Sequence, residues 1–560
     1  MGKICTGRRS FAVFAARRWW QAASATLTRR IRLLLLKLLK VFMAYSKGCV
    51  LSLGIVLLGL GILTVVFFDS AINKLIYKEL VIRNGTDVFK NWKHPPITPH
   101  LRMYFFNLTN EKEFLAGSKP VLQEVGPYCY REHWEKINVK FHDNGTVSYE
   151  TQKFYFFERE KSVGSENDVI VSLNIPMVAA ISQWRFAARI AKLALSSMLE
   201  VLKEKPVVAH TVGELMWGYD DPLLKIAKDI LPPDKRLPFD KFGFFINKNG
   251  STDGLFNVFT GEETMKKYGI IDSFNYMKKL DYWKTKECNM LNGTDGSIFP
   301  PGVTDNTVLY MFNDNLCRSV PLTFAGDVEQ YGIISKRFAP PKDVFADVDK
   351  NPENACFCVD GPPCLGGGLF NISACKFGSP TAISWPHFYQ ADQKYLDGVV
   401  GLKPDPKRHA FYIDISPRTG TPIRAEARLQ INIAVASVPE IKPAAGLREM
   451  MFPIVWFEDA VTDMPAHLVK LLQTAENVPV VTRASMTLAF FVIGGVFVVL
   501  ASISILATYF NLPVPFLNLN YKSDEKSDDK VHQINPTERN ASRPELTGHD
   551  NPAVADKDEA

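Results

Sequence analysis

Charge of either sign is missing from two stretches of this 560-residue chain, Gly48 to Phe68 and Met486 to Leu506, 21 residues each. A helix of that length rises about 30 Å, the thickness of a bilayer's hydrocarbon core, which points away from a soluble protein. Acid is missing from residues 1–47, which hold eleven cations: Lys3, Arg8, Arg9, Arg17, Arg18, Arg29, Arg30, Arg32, Lys37, Lys40 and Lys47. The twenty residues after Phe68 carry only Lys74, Lys78 and Arg83 as cations. The positive-inside bias therefore places the N-terminus in the cytoplasm, and two spans return the C-terminus there. The local signatures of catalysis are also absent: no Gly-x-Ser-x-Gly elbow, no His-Glu-x-x-His and no Gly-x-x-x-x-Gly-Lys loop. Histidines 94, 100, 133, 142, 210, 387 and 409 are scattered without ligand spacing. Nothing here supports an enzyme, a cofactor or a metal, and no repeat of 20 to 50 residues occurs.

What is present organises around the spans. Hydrophobic residues make up 46% and charged ones 22%, which excludes a wholly disordered chain. The expected domains are a basic cytoplasmic arm (1–47), a first span (48–68), an extracellular or lumenal body (69–483), a second span (484–510) and a disordered cytoplasmic tail (511–560). The body holds 48 basic and 49 acidic residues, so the net charge of +6 belongs to the arm. No nucleic-acid-binding face is implied. Six acceptor tripeptides fall in the body, at Asn84, Asn107, Asn144, Asn249, Asn292 and Asn371, and suggest N-glycosylation. A seventh, at Asn540, lies in the tail and should stay bare. Six of nine cysteines, Cys288, Cys317, Cys356, Cys358, Cys364 and Cys375, crowd into 88 residues. An oxidising compartment favours disulfides over a metal at Cys356-Phe-Cys358, but six cysteines allow 15 pairings. Cys129 is left over and reads as a buried free thiol.

The arm is Arg-rich and imitates a mitochondrial presequence, against which the sequons and the following anchor argue. Leu27 to Tyr45 reads as an interfacial helix on an anionic leaflet. Met1-Gly2-Lys3-Ile4-Cys5-Thr6 fits a myristoylation signal with Cys5 open to a second acyl chain; the alternative is that Met43 starts some forms of the chain.

Within the body, Asn138 to Phe157 reads as a hairpin about Asp143-Asn144-Gly145. Residues 424–435 alternate, with Arg424, Glu426, Arg428, Gln430 and Asn432 on one face of a half-buried strand and apolar residues on the other. Val178 to Lys203 has helical period, with Phe186, Ile190 and Leu193 opposite Arg185, Arg189 and Lys192. The fold class is α+β. Gly366-Gly367-Gly368 reads as a tight turn rather than an anion cradle.

Several motifs in order resemble the class B scavenger receptor family: Glu124-Val-Gly-Pro-Tyr128, Glu214-Leu-Met-Trp-Gly-Tyr-Asp-Asp-Pro222, Asn292-Gly-Thr-Asp-Gly-Ser-Ile-Phe-Pro-Pro301, Cys317-Arg-Ser, Asn351-Pro-Glu-Asn-Ala-Cys-Phe-Cys358, Trp385-Pro-His-Phe388 and Ala427-Arg-Leu-Gln-Ile-Asn432. The resemblance covers about residues 48–510. It implies the pairs Cys288–Cys356, Cys317–Cys375 and Cys358–Cys364. It further implies an antiparallel, β-barrel-like body with a helical bundle at its membrane-distal end and an internal lipid tunnel. At that tip Arg185, Arg189, Lys192, Lys203 and Lys205 are the candidate ligand contacts, and Lys376 matches a lysine that meets a fatty-acid carboxylate in the cavity. Phe377 departs from the family pattern. The implied partners are lipids, fatty acids, sterols or lipoprotein particles, with room for a homo-oligomer. The implied location is the plasma membrane. The alternative is an endosomal or lysosomal sorting receptor for a protein cargo, although the tail has no acidic dileucine and Tyr509-Phe-Asn-Leu512 abuts the span. A two-span channel is a third reading, and neither span carries the ionisable residue a pore would use. Ile493-Gly494-Gly495 and Ser502 to Ser504 suit helix packing instead.

Overall fold

The computed structural model describes residues 47–230, 239–358, 361 and 364–510. The arm's acylation signal, its interfacial helix, Met43, the tail, Asn540 and Leu512 lie outside these residues. Two helices are long and apolar enough to cross a membrane, α1 (Lys47–Leu80) and α6 (Ala466–Tyr509). Each runs past the charge-free stretch that announces it, because backbone bonding continues where apolarity stops. The described residues fall into two compact units. One holds the outer ends of the two helices, where Val50 packs on Ala501 and the Lys47 ammonium meets Ser504 and Thr508. The other, Leu53–Val496, holds everything else.

In that second unit the two spans touch through glycine. A Cβ on Gly494 would come within 3.0 Å of the Gly54 carbonyl, so the backbones approach as only small residues permit. At the foot of the spans Arg483 reaches Asp69 at 2.7 Å and Val65 O at 2.9 Å. The buried Glu476 accepts from Ser416 and from Arg418 N, tying helix α6 to the body.

The body is built on a 13-stranded antiparallel sheet. Its strands in chain order are β1 (His100–Leu108), β2 (Leu122–His142), β3 (Thr146–Phe157), β4 (Thr252–Phe259), β5 (Ile271–Phe274), β6 (Leu309–Asn313), β7 (Arg318–Gln330), β8 (Ile333–Ala339), β9 (Phe370–Asn371), β10 (Thr381–Ser384), β11 (Tyr412–Ile415), β12 (Pro422–Val435) and β13 (Met450–Val461). Hydrogen bonds order them β6-β7-β8-β11-β12-β13-β1-β2-β3-β4-β5, with β9 and β10 attached to β12. The two ends of this path are joined by Gly293 and Thr294. Ile271 N of β5 donates to Gly293 O at 2.8 Å, Thr294 N donates to Tyr310 O of β6 at 3.0 Å, and Phe312 N donates to Thr294 O at 2.9 Å. The sheet thereby closes on itself, and Phe256, Phe274 and Phe312 pack across the seam. Closure leaves no long edge to pair with another chain.

The hairpin of β2 and β3 turns at residues 143–145 as its Asp-Asn-Gly predicts. Strand β12 keeps its alternation, but its polar face is not solvated: Glu426, Arg428, Gln430 and Asn432 are buried. Neighbouring strands and the segment at His387 supply its partners: Arg428 pairs with Glu458 of β13, Asn432 Nδ2 donates to Ser384 Oγ of β10 at 3.0 Å, and Gln430 Oε1 accepts from His387 N.

A helical cap covers one end of the strands: α2 (Ile175–Trp184), α3 (Arg189–Leu202), α4 (Val212–Trp217) and α5 (Pro222–Ile230). Asn174 caps α2 by accepting from Met177 N, and Thr211 with Glu214 forms a capping box on α4. Met177, Val178, Ile181 and Leu199 share a core with Leu108, Val435 and Phe452, at the ends of β1 and β12 and the start of β13. Strand β13 leaves the cap at Met450 and after 12 residues runs on toward α6, so the cap and the spans lie at opposite ends of it. The single helix expected over Val178 to Lys203 is instead two, broken at residues 185–188, where Ala188 is extended with ψ 147. The stripe it buries also differs. Leu195, Ser196 and Leu199 face the core, with Ser196 Oγ accepting from Lys442 N at 3.0 Å. Leu195 and Leu199 join the body's core, which leaves Ile190 and Leu193, and Phe186 in the break, outside.

Candidate functional site

The outer surface of the cap is apolar where a solvated helix would be polar. Phe186 is 86% exposed, Ile190 80% and Val201 79%, with Trp184 and Leu193 also exposed. Isolated exposed hydrophobics are ordinary, but a row of them on two consecutive helices marks an interaction surface. The five expected cations divide around it. Arg189, Lys203 and Lys205 are exposed. Lys192 is half-buried and paired with Glu440 at 3.4 Å, and Arg185 is turned inward to donate to Ser182 Oγ at 3.0 Å.

Lys376 lies in the loop after Cys375, which the cap touches: Gln183 Nε2 donates to Phe377 O at 3.1 Å. The Lys376 ammonium faces Asn315 Oδ1 at 3.4 Å, and burial pushes its pKa down against the pull of Asp314. Phe377 is exposed and packs edge-on against Phe239. The three disulfides bracket this loop: Cys317 is joined to Cys375, Cys288 to Cys356 and Cys358 to Cys364, with Cα separations of 6.5, 6.2 and 5.2 Å. Each holds the unfolded chain together, a stabilisation of about 2–4 kcal/mol. Of the sequon asparagines, Asn84, Asn144 and Asn249 are exposed and Asn107, Asn292 and Asn371 half-buried. Asn107 Oδ1 accepts from Val171 N at 2.8 Å.

Sequence reasoning missed the ionisable groups on the inner face of the sheet. Lys153 of β3 pairs with Asp253 of β4 at 3.1 Å, and Asp253 also meets Lys248 at 3.2 Å. Lys153 also interacts with Asp459 of β13 and Asp314 of the β6–β7 turn, which are not its neighbours along the sheet. Only a position inside the closed sheet puts it near both. Burial and the nearby Asp459 charge push the buried Glu132 carboxyl up to about 8. Two hollows lie away from these groups: one of about 20 Å³ beneath Phe345, Phe357 and Phe370, the other of about 250 Å³ between Lys342, Lys350 and Asp392.

Among the described residues, two clusters each bring three potential metal ligands together. In Glu124, His387 and His409, the Nδ1 atoms of both rings accept from backbone, from Lys403 N at 3.0 Å and Asp405 N at 2.9 Å. Their remaining hydrogens therefore sit on Nε2, which cannot also offer a lone pair to a metal. His387 Nε2 faces Glu124 instead, and Trp456 Nε1 donates to the same carboxylate at 2.9 Å. Burial would raise Glu124, but these two bonds and the charges beside it bring its carboxyl down to about 2. His409 is pushed down to about 3 by burial, His387 and Arg408. The second cluster, His100, Cys129 and Glu158, has no backbone donor on either ring nitrogen.

Two membrane-crossing helices flanking one closed antiparallel body with a helical cap define the class: a two-span membrane protein with a single large domain between its anchors. Comparison with known proteins names the family. The profile of the CD36 family matches residues 52–505. The chain is 38% identical over 450 residues to human Lysosome membrane protein 2, covering 79% of this chain and 92% of that protein. It is 36% identical over 410 residues to mouse Scavenger receptor class B member 1, covering 73% and 79% respectively. The chain belongs to the CD36 family of class B scavenger receptors.

Proposed function

We propose that this protein is a membrane receptor that takes lipid or lipoprotein ligands at its cap and passes lipid through the inside of the closed sheet to the bilayer. The observation that carries this reading is the cap's exposed row of Phe186, Ile190, Leu193 and Val201, bordered by Arg189, Lys203 and Lys205. Apolar anchors beside cations suit a surface made of acyl chains and anionic headgroups. A lipid crossing water exposes CH₂ groups at about 0.8 kcal/mol each, so a covered route is the physical requirement. Lys376 beside the cap and the charged groups within the sheet offer polar resting points for a headgroup on that route.

The test separates docking from passage. In cells displaying matched amounts of protein, F186S/I190S/V201S should lower lipoprotein-particle binding about tenfold. K203E/K205E should give a smaller deficit that shrinks with salt. A427W, opposite Asp459 on the inner face, should leave particle binding intact while lipid uptake falls. Unchanged uptake in A427W sinks the passage, and unchanged binding in the triple variant sinks the docking surface. We place the receptor at the plasma membrane, with endosome or lysosome as the alternative; surface biotinylation of intact cells decides between them.

A further inference from the structure

The cluster of His100, Cys129 and Glu158 stands apart from the cap and the sheet interior, and nothing in the receptor reading uses it. Cys129 is in no disulfide and is 1% exposed; His100 is 4% exposed. One donor atom from each of the three residues lies within 4.8 Å of the other two. The cluster is built rather than incidental, because residues 158–163 are pinned to β2 by three bonds and braced by a fourth within the segment. Glu158 N donates to Cys129 O at 2.8 Å, Cys129 N to Ser162 Oγ at 2.8 Å, Ser162 Oγ to Glu158 O at 2.7 Å, and Val163 N to Pro127 O at 2.8 Å.

A further observation points to a cation at this spot. His100 Nε2 faces a Glu158 oxygen at 3.2 Å, and Lys161 places its ammonium 2.8 Å from that nitrogen and 2.8 Å from the same oxygen. The pocket thus already holds a positive charge, on a side chain that is half exposed and free to swing away. Arg102 is close to Cys129 but is committed to Glu458, and Arg131 reaches Glu158 only at 3.6 Å from the outside.

We propose that His100, Cys129 and Glu158 form a binding site for a thiophilic divalent cation of the zinc class, with the Lys161 ammonium as its tethered competitor. Thiolate, imidazole and carboxylate are the zinc donor set, and bond lengths of 2.0–2.3 Å place tetrahedral ligands about 3.5 Å apart, a small closure from the present spacing. Binding releases the thiol proton to solvent and swings Lys161 outward.

The experiment uses the full chain in detergent, stripped with chelator and then equilibrated with Zn²⁺ alone. About one ion per chain should be retained, and C129S and H100Q should each lose it. K161M should bind about tenfold more tightly, since it removes the competing charge and keeps the ligands. A merely structural cluster would not gain affinity on losing a lysine. Co²⁺ substitution gives a readout that needs no variant to fold: a thiolate-to-cobalt absorption in the unmodified chain. Equal retention in C129S, in H100Q and in the unmodified chain, or retention by neither the unmodified chain nor K161M, overturns the proposal, as does a cobalt spectrum without the thiolate band.

Discussion

Glu124 and Glu132 lie on the same strand, eight residues apart, and behave as opposites. Both are largely buried, yet the first carboxyl is held at about 2 and the second is pushed up to about 8. An even spacing should put both on one face of a strand. They face opposite ways because the pairing of β1 with β2 slips between Met103 and Phe105, opposite Gly126-Pro127. Gly126 is required there: a Cβ would sit 2.7 Å from Met103 O. Beyond the slip, Glu124 turns outward to Trp456 and His387, whereas Glu132 turns inward with Tyr130. Burial works against the charged form at both sites. What separates them is directional partners: Glu124 faces His387 Nε2, Trp456 Nε1 and an Arg408 nitrogen, while Glu132 has Trp134 Nε1 and a second acid nearby. Low exposure alone does not set a carboxyl's state; the donors it meets do.

The sharpest way to break this comparison is E124A, which leaves His387, Trp456 and Arg408 without their shared acceptor. It should cost about 3–5 kcal/mol in chemical unfolding. The folded carboxyl stays ionised down to about 2, below its unfolded value, so the gap between the unmodified chain and E124Q should hold above pH 5 and close as pH falls toward 2. A gap that closes at pH 6 would contradict the assignment. The second test is E132Q. The folded Glu132 keeps its proton up to about pH 8 while the unfolded chain releases it near pH 4.3, so the penalty for folding grows across that window. E132Q should match the unmodified chain in stability near pH 4.5 and gain about 2 kcal/mol at pH 6. A gain of equal size at both values would mean that Glu132 is ionised throughout. The smallest effect is expected from R408Q, whose partner is Glu124 at 3.1 Å but whose side chain is more than half exposed. It should cost about 0.5 kcal/mol and fade in salt.

The parts of this molecule legible in sequence are those with one dominant local cause. The charge-free runs give α1 and α6, Asp143-Asn144-Gly145 gives the hairpin turn, and strict alternation gives β12. Where two causes compete, the sequence is silent about the winner. The period through Phe186 and Ile190 and the one through Leu195 and Leu199 are both helical, and packing against residues such as Val438 and Ile441, more than two hundred positions away, decides between them. Alternation in β12 likewise says that Arg428 and Gln430 share a face but not that earlier chain, at His387 and Ala410, meets it. The site residues divide the same way. The family resemblance offers Lys376 and the cap cations as candidates. Glu132, Lys153, Asp253 and Asp459 come together only because β13, β1, β2, β3 and β4 run side by side in the sheet, and His100, Cys129 and Glu158 only because β1 pairs with β2 in one register and the chain after β3 returns to Cys129. One local signal for the latter was available: Cys129 was the body's cysteine left without a partner.

The seam at Gly293 and Thr294 also sets an order of events during biosynthesis. Thr294 is the hydroxyl residue of the acceptor tripeptide at Asn292; it is 0% exposed, and its oxygen accepts from Gly296 N at 3.1 Å. An oligosaccharide-transferring enzyme has to engage that hydroxyl in an extended, accessible chain. A sugar at Asn292 can therefore be attached only to the nascent polypeptide, before the last hydrogen bonds of the ring are made, and a chain that closes early would emerge lacking it.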